Sequence, residues 1–304
     1  MYNEELKNSF IDNGLSHLNT PRSISVNNFN LTEDMEMLLG KDLSSFTYNE
    51  IISLLKTLAL DSIDRCEALK SLYRRYTAWC IAQGLVEDGQ NHFEEITLED
   101  IRGCLNTVMI NKKILDYKTL IKWTNAVINA SDAFILLCLF EGVSETNIIA
   151  IRDLKESDVN FKDKTITFNG RTVAVSQKLL STIEETINEH YLERKDGREF
   201  ILEPDGTIIK SYRRNNGTRQ TLDQKKVWLA QRTNNLLHDL SGNLITMKDV
   251  VKSGQIHFIT QRSQELGISA IEYLKQYPDE VNKRCNQKDA VTKFLRNHFK
   301  EYLE

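Results

Sequence analysis

The sequence predicts a mainly α-helical fold with a small β-hairpin or sheet, and three observations lead there. Only three prolines (Pro21, Pro204, Pro278) and 13 glycines interrupt 304 residues, so few positions break a helix. Apolar residues recur at helical spacing along most of the chain. One stretch switches to a period of two, around Asn169-Gly170. A hydrophobic fraction of 40% beside 27% charged residues allows a sizeable core. The length suits one large domain or two ordinary ones.

Residues 1–45 mix acids with Asn, Ser and Thr and carry no strong periodicity, so they read as a small helical cap or as an arm. From Tyr48 to Leu60 and from Arg65 to Gly84 the spacing is helical. In the second stretch Leu69, Leu72, Tyr73, Tyr76 and Cys80 share a face, opposite Lys70, Arg74 and Arg75, and Gly84 supplies a stop. Thr97 caps a short helix, Leu98 to Leu105, with acids in its first turn as the helix dipole favours. These helices form a small domain over residues 46–110. A lysine-bearing stretch, Asn111 to Lys122, leads into a second unit, residues 111–304.

Within it, residues 131–152 read as a long apolar helix, a break at Gly142 and another helix. Lys164-Thr-Ile-Thr-Phe and Arg171-Thr-Val-Ala-Val flank Asn169-Gly170, a tight-turn pair that adopts positive φ readily. Ser176 starts a helix running to about Leu192. The remainder is helical apart from a polar loop around Glu203 to Gly217.

Net charge −4 and a pI near 6.0 argue mildly against a nucleic-acid partner, but charge distribution decides the matter. Five separated cysteines show no metal-ligand or disulfide spacing, so no metal or cofactor is expected and a reducing, cytosolic setting fits. The N-terminus lacks the plan of a signal peptide. The longest apolar run, Ala133 to Phe140, is too short to span a bilayer, so no membrane partner is expected.

The order helical domain, helix, break, helix, hairpin, helices resembles the tyrosine-recombinase (phage integrase) family. Phe93-Glu-Glu-Ile-Thr-Leu-Glu-Asp-Ile-Arg-Gly-Cys-Leu is similar to the end of that family's core-binding domain. Phe140-Glu-Gly-Val-Ser-Glu-Thr-Asn-Ile-Ile-Ala-Ile-Arg-Asp-Leu is similar to its first catalytic box. The hairpin and Val175-Ser-Gln-Lys-Leu-Leu continue the match, which covers roughly residues 60–275. The resemblance implies a two-domain clamp: a helical core-binding domain followed by a catalytic-like domain.

The family's chemistry needs two arginines and a hairpin lysine at the scissile phosphate, assisting histidines or a tryptophan, and a tyrosine nucleophile. Here the first arginine falls on Ser144 and the box's glutamate on Asn147. The Asn169-Gly170 turn leaves no room for the lysine, and Arg171 is the nearest cation. The His-x-x-Arg box has two registers: one puts Val251 at the arginine, the other Ile256 followed by His257. The third box, near Tyr277-Pro278-Asp279, lacks histidine and tryptophan, and no tyrosine occurs from Asp279 to Glu301. The expected protein is therefore not an enzyme.

What remains is a DNA clamp. Between Asp205 and Arg232 seven basic residues (Lys210, Arg213, Arg214, Arg219, Lys225, Lys226, Arg232) face two acids. By resemblance, a helix beginning near Thr218-Arg219 enters the major groove. Arg219 would read a base, and Arg213, Arg214, Lys225 and Lys226 would contact phosphates. Lys248 and Lys252 would line the old catalytic face, and Lys70, Arg74 and Arg75 would close the clamp. The likeness extends to the integrase-like master repressors of SPbeta-type Bacillus phages. That implies maintenance of lysogeny by binding double-stranded operator DNA in the bacterial cytoplasm, at the nucleoid, under a small protein or peptide-controlled regulator.

Each residue also has a plainer reading. The basic cluster is a solvated surface, Lys70, Arg74 and Arg75 are the polar face of an amphipathic helix, Ser144 is a helix cap, and His257 is a core histidine. Two other functions compete: a divergent recombinase using Tyr302 or Tyr273, and a non-catalytic module that partners a recombinase.

Overall fold

The computed structural model describes residues 1–16, 20–144, 148–213, 217–286 and 290–291. It is mainly helical with two small antiparallel sheets, and the chain divides into two compact units, Met1–Asn111 and Lys112–Glu304.

The first unit contains α1 (Glu4–Ser9), α2 (Arg22–Asn30), α3 (Glu33–Leu39), α4 (Tyr48–Thr57), α5 (Ile63–Ala82), α6 (Leu98–Cys104) and most of α7 (Thr107–Lys112). Local signals set the boundaries of the later helices. Thr47 and Glu50 form a capping box at the start of α4, Thr97 and Asp100 form another at α6, and Gly84 turns the chain at φ +72° after α5. The face of α5 predicted to be apolar is the one that is buried. Residues before 46 complete this core instead of forming an arm. The rings of Phe10 and Phe29 pack 5.3 and 5.1 Å from that of Tyr76. Beside them Lys7 and Glu36 form a fully buried ion pair.

The second unit contains α8 (Tyr117–Ala126), α9 (Ala130–Phe140), α10 (Ile149–Asp153), β1 (Val159–Asn160), β2 (Thr165–Phe168), β3 (Arg171–Ala174) and α11 (Gln177–Ile187). After these come β4 (Tyr191–Glu193), β5 (Glu199–Glu203), β6 (Ser211–Tyr212), α12 (Leu222–Ser241), α13 (Met247–Leu266), α14 (Ala270–Gln276) and α15 (Pro278–Cys285). Every residue of α9 from Ser131 to Phe140 is buried, with α8, α11, α12 and α13 packed around it. Such a helix is apolar all round because it has no solvent face. Gly254 lets α13 touch it: a Cβ there would lie 1.7 Å from the Phe140 carbonyl oxygen.

The Asn169-Gly170 hairpin forms as expected, Phe168 pairing with Arg171 and both turn residues at positive φ. β1, β2 and β3 form one antiparallel sheet in that order. The second sheet, β4-β5-β6, corrects two expectations. The helix after Ser176 stops at Ile187, and the loop from Glu203 carries strand β6. These strands are two to five residues long, too short for alternation to register in the sequence. A distant side chain fixes β4: Asn129 donates to the Glu193 carbonyl and accepts from its N–H, at 3.0 and 2.8 Å. Among the described residues no helix is long and apolar enough to cross a membrane.

Candidate nucleic-acid interface

The basic cluster between residues 205 and 232 does not form one positive surface. Lys225 is 1% exposed, and its ammonium donates to Asp205 and to the Thr207 hydroxyl, both at 2.7 Å. Asp205 also accepts from the Thr207 backbone and from the Ser211 hydroxyl. Burial pushes the Asp205 carboxyl up, but the hydrogen bonds from Lys225, Ser211 and Thr207 outweigh it, leaving the group below its ordinary range. Lys225 therefore holds the 205–211 loop onto α12 and is unavailable to a phosphate, which corrects its assignment as a DNA contact. Its position explains why: Lys225, Leu229, Thr233 and Leu237 recur every fourth residue on the buried face of α12.

Arg232 is corrected in the same way. It pairs with Asp132 at 2.7 Å, donates to the Ser131 hydroxyl and stacks over Trp228, so it ties α12 to α9. Lys210 is buried as well, donating to the carbonyls of Ile187 and Glu189.

Arg213 and Arg219 remain exposed. They face each other in an antiparallel bridge, and both reach Glu203: Arg213 at 2.7 Å and Arg219 at 3.5 Å. Arg214, between them, lies outside the described residues. The helix predicted to begin near Thr218-Arg219 starts at Leu222, because Thr221 and Gln224 form its capping box. Arg219 therefore stands on the strand-like approach to α12. Lys226 is half-buried on α12 and makes no ion pair among the described residues. Beside it sit two residues that sequence reasoning passed over, Leu222 and Val227, apolar yet 60% and 66% exposed. Their signal was phase: neither fits the buried every-fourth-residue row of α12.

Lys248 is exposed in the first turn of α13, and Lys252 follows one turn later, half-buried. In the first unit Lys70 donates to the Ile96 carbonyl, and Arg75 donates to the carbonyl and hydroxyl of Ser71. Arg74 alone of these three is exposed.

The residues that the sequence aligns with the catalytic positions make structural contacts. Ser144 is buried, and its N–H donates to the Cys138 carbonyl. The N-cap position of α10 is Ile148; Asn147 lies outside the described residues. Arg171 donates to the carbonyls of Gly142, Lys283 and Arg284, capping the C-terminus of α15, where a cation is favoured. Both registers of the His-x-x-Arg box fall on α13: Val251 is half-buried and Ile256 buried. His257 stacks on Tyr117 at 5.0 Å, and burial, with the charge of Arg284, lowers its basicity below the ordinary histidine range. Arg284 packs its guanidinium against Gly142.

Models of the MrpR N-terminal core-binding domain and the MrpR C-terminal catalytic domain match residues 1–83 and 114–299. A Bacillus subtilis (strain 168) protein described as SPbeta prophage-derived uncharacterized protein YopR is 23% identical over 320 residues, spanning 99% of this chain and 94% of the relative. Among solved structures, the Tn1549 transposon integrase in complex with transposon right end DNA overlaps at TM-score 0.48 and 10% identity, covering 94% of this chain and 93% of that one. XerA recombinase overlaps at 0.35 and 12% identity, covering 99% of each chain. With both domain models matched in order over most of its length, the chain belongs to the integrase-like MrpR family.

Proposed function

We propose that this protein is a sequence-specific DNA-binding regulator, a phage repressor that holds lysogeny by occupying operator DNA without cutting it. The observation that carries the reading is a contrast within the second unit. The positions where phosphate chemistry would need charge hold Ser144, a two-residue turn and an aliphatic residue, while Arg213 and Arg219 stay exposed at the approach to α12. Membership of the MrpR family and likeness to a prophage-derived protein support it. Without preorganised cations or a nucleophile there is no covalent intermediate to stabilise.

In this reading α12 presents its first turns to the major groove. Arg219 reads a base edge, Arg213, Arg214 and Lys226 contact phosphates, and the exposed Leu222 and Val227 offer apolar contact to thymine methyl groups. Lys248 and Lys252 add phosphate contacts, and Arg74 does so from the first unit. The test is genome-wide mapping of bound DNA followed by titration on the recovered site. Binding should weaken steeply with salt. Arg219→Ala should relax specificity, and Lys226→Ala should weaken all sequences alike. Binding without a recurrent motif, or without salt dependence, overturns the proposal.

Burial weighs against one of the two candidate nucleophiles of the enzymatic alternative. Tyr273 is fully buried, and burial and Glu280 push its hydroxyl far above the ordinary range. Tyr302 lies outside the described residues. A covalent adduct trapped on nicked cognate DNA would restore the enzyme.

A further inference from the structure

A cavity of about 650 Å³ opens between β3, α13, α15 and the ends of α8 and α9. That size lies in the roughly 300–1,000 Å³ range of ligand sites. Its floor is aromatic: Tyr117 and Phe140 pack against His257, and Phe258 lies under Arg284. One wall is β3, the last strand of its sheet.

The register fixes which way the β3 backbone groups point. Val175 donates to the Lys164 carbonyl at 2.9 Å, so Arg171, Val173 and Val175 direct their N–H and C=O groups at β2. Thr172 and Ala174 direct theirs outward, along the wall of the cavity. The Ala174 carbonyl takes a bond from Arg284 at 3.0 Å, consistent with that direction. The Thr172 N–H, the Thr172 carbonyl and the Ala174 N–H have no partner among the described residues. An open strand edge of this kind is a template for another strand.

The charges around the cavity favour an anion at one end. Arg262 engages both Glu265 and Glu280, and the two oxygens of Glu141 accept from the backbone and hydroxyl of Ser176. Arg284 bonds only a main-chain carbonyl and makes no ion pair among the described residues, although Glu141 is close enough to stabilise its charge. Lys283 lines the same end without an ion pair among the described residues.

We propose that this cavity binds a short extended peptide, which adds to the free edge of β3 and presents a carboxylate to Arg284. Thr172 exchanges two main-chain bonds with the peptide and Ala174 donates a third, while apolar side chains of the peptide settle on the aromatic floor. The proposal stands apart from the DNA reading, since its test reads peptide binding alone.

The test uses the full chain and a pool of random heptapeptides with free C-terminal carboxylates. Selected peptides should bind in a defined register, so methylating the one backbone nitrogen that donates to the Thr172 carbonyl abolishes binding while methylating the nitrogens on either side of it does not. Amidating the C-terminus should weaken binding about tenfold or more if that carboxylate meets Arg284. If an Asp or Glu side chain supplies the anion, its replacement by Asn or Gln should do so instead. Arg284→Gln should remove whichever of these sensitivities is found. Thr172→Pro, which deletes an outward N–H without touching the ladder to β2, should reduce binding similarly. Its fold is checked by circular dichroism, and the methylation scan on the wild-type chain decides the question if it fails to fold. A pool that yields no binder, a methylation scan in which no single nitrogen stands out from its neighbours, or binding indifferent to Arg284 overturns the proposal. So does displacement of the peptides by a second copy of this chain or by its own 287–304 segment.

Discussion

At the scale of single residues, the same side chain means different things according to what stands opposite it. Lys225 and Lys226 are neighbours in sequence, yet one is buried against Asp205 and the other reaches the surface. Lys225→Ala leaves the Asp205 charge buried without its partner, which should cost about 3–5 kcal/mol in urea denaturation. Arg219→Ala, on an exposed side chain, should stay within about 0.5 kcal/mol of wild type while changing DNA binding. If the two variants were equally stable, the structural role of Lys225 would be wrong. Gly254 gives a second residue-scale prediction. Its missing Cβ is what lets α13 approach the Phe140 carbonyl, so Gly254→Ala should destabilise toward or beyond the upper end of the ~1–3 kcal/mol typical of overpacking. An unchanged urea midpoint would mean that α13 can move aside.

At the scale of elements, the locally capped helix starts at Thr97 and Ser176 and the hairpin turn were the most legible features and the short strands the least. Capping needs only a side chain and a backbone group three residues away, so Thr97 announced α6 and Asn169-Gly170 announced the hairpin without reference to the rest of the fold. Strands β4 and β6 depend on remote partners, Asn129 for the first and Glu203 of β5 for the second, and no local pattern encodes them. The Asp205 hub that joins the 205–211 loop to α12 should be acid-sensitive. The folded carboxyl lies below its unfolded value near 3.8, so its stabilisation is complete above that value and lost as pH falls through the lowered folded one. The stability gap between wild type and Asp205→Asn should therefore narrow from about pH 5 to below pH 3, measured as urea midpoints. A gap constant with pH would contradict the ion pair.

At the scale of the whole molecule, each compact unit has its own buried core: the Phe10–Phe29–Tyr76 rings in one, the layers around α9 in the other. A fragment spanning 112–304 should keep helical circular dichroism and a cooperative urea transition, and an unfolded fragment would show that its core is incomplete. The sequence by itself determined the helical class, the hairpin and the family likeness. All of these are written in local order, in spacing and in which residue occupies a motif position. Only the tertiary structure decided which of the cations stay exposed. Formal charge is counted along the chain, whereas availability depends on burial and on carboxylates brought from elsewhere: Asp205 for Lys225 and Asp132 for Arg232. A run of seven basic residues thus became a narrower surface on the approach to α12. The reason is that a charge removed from water must find a partner, and the fold supplied those partners from distant positions.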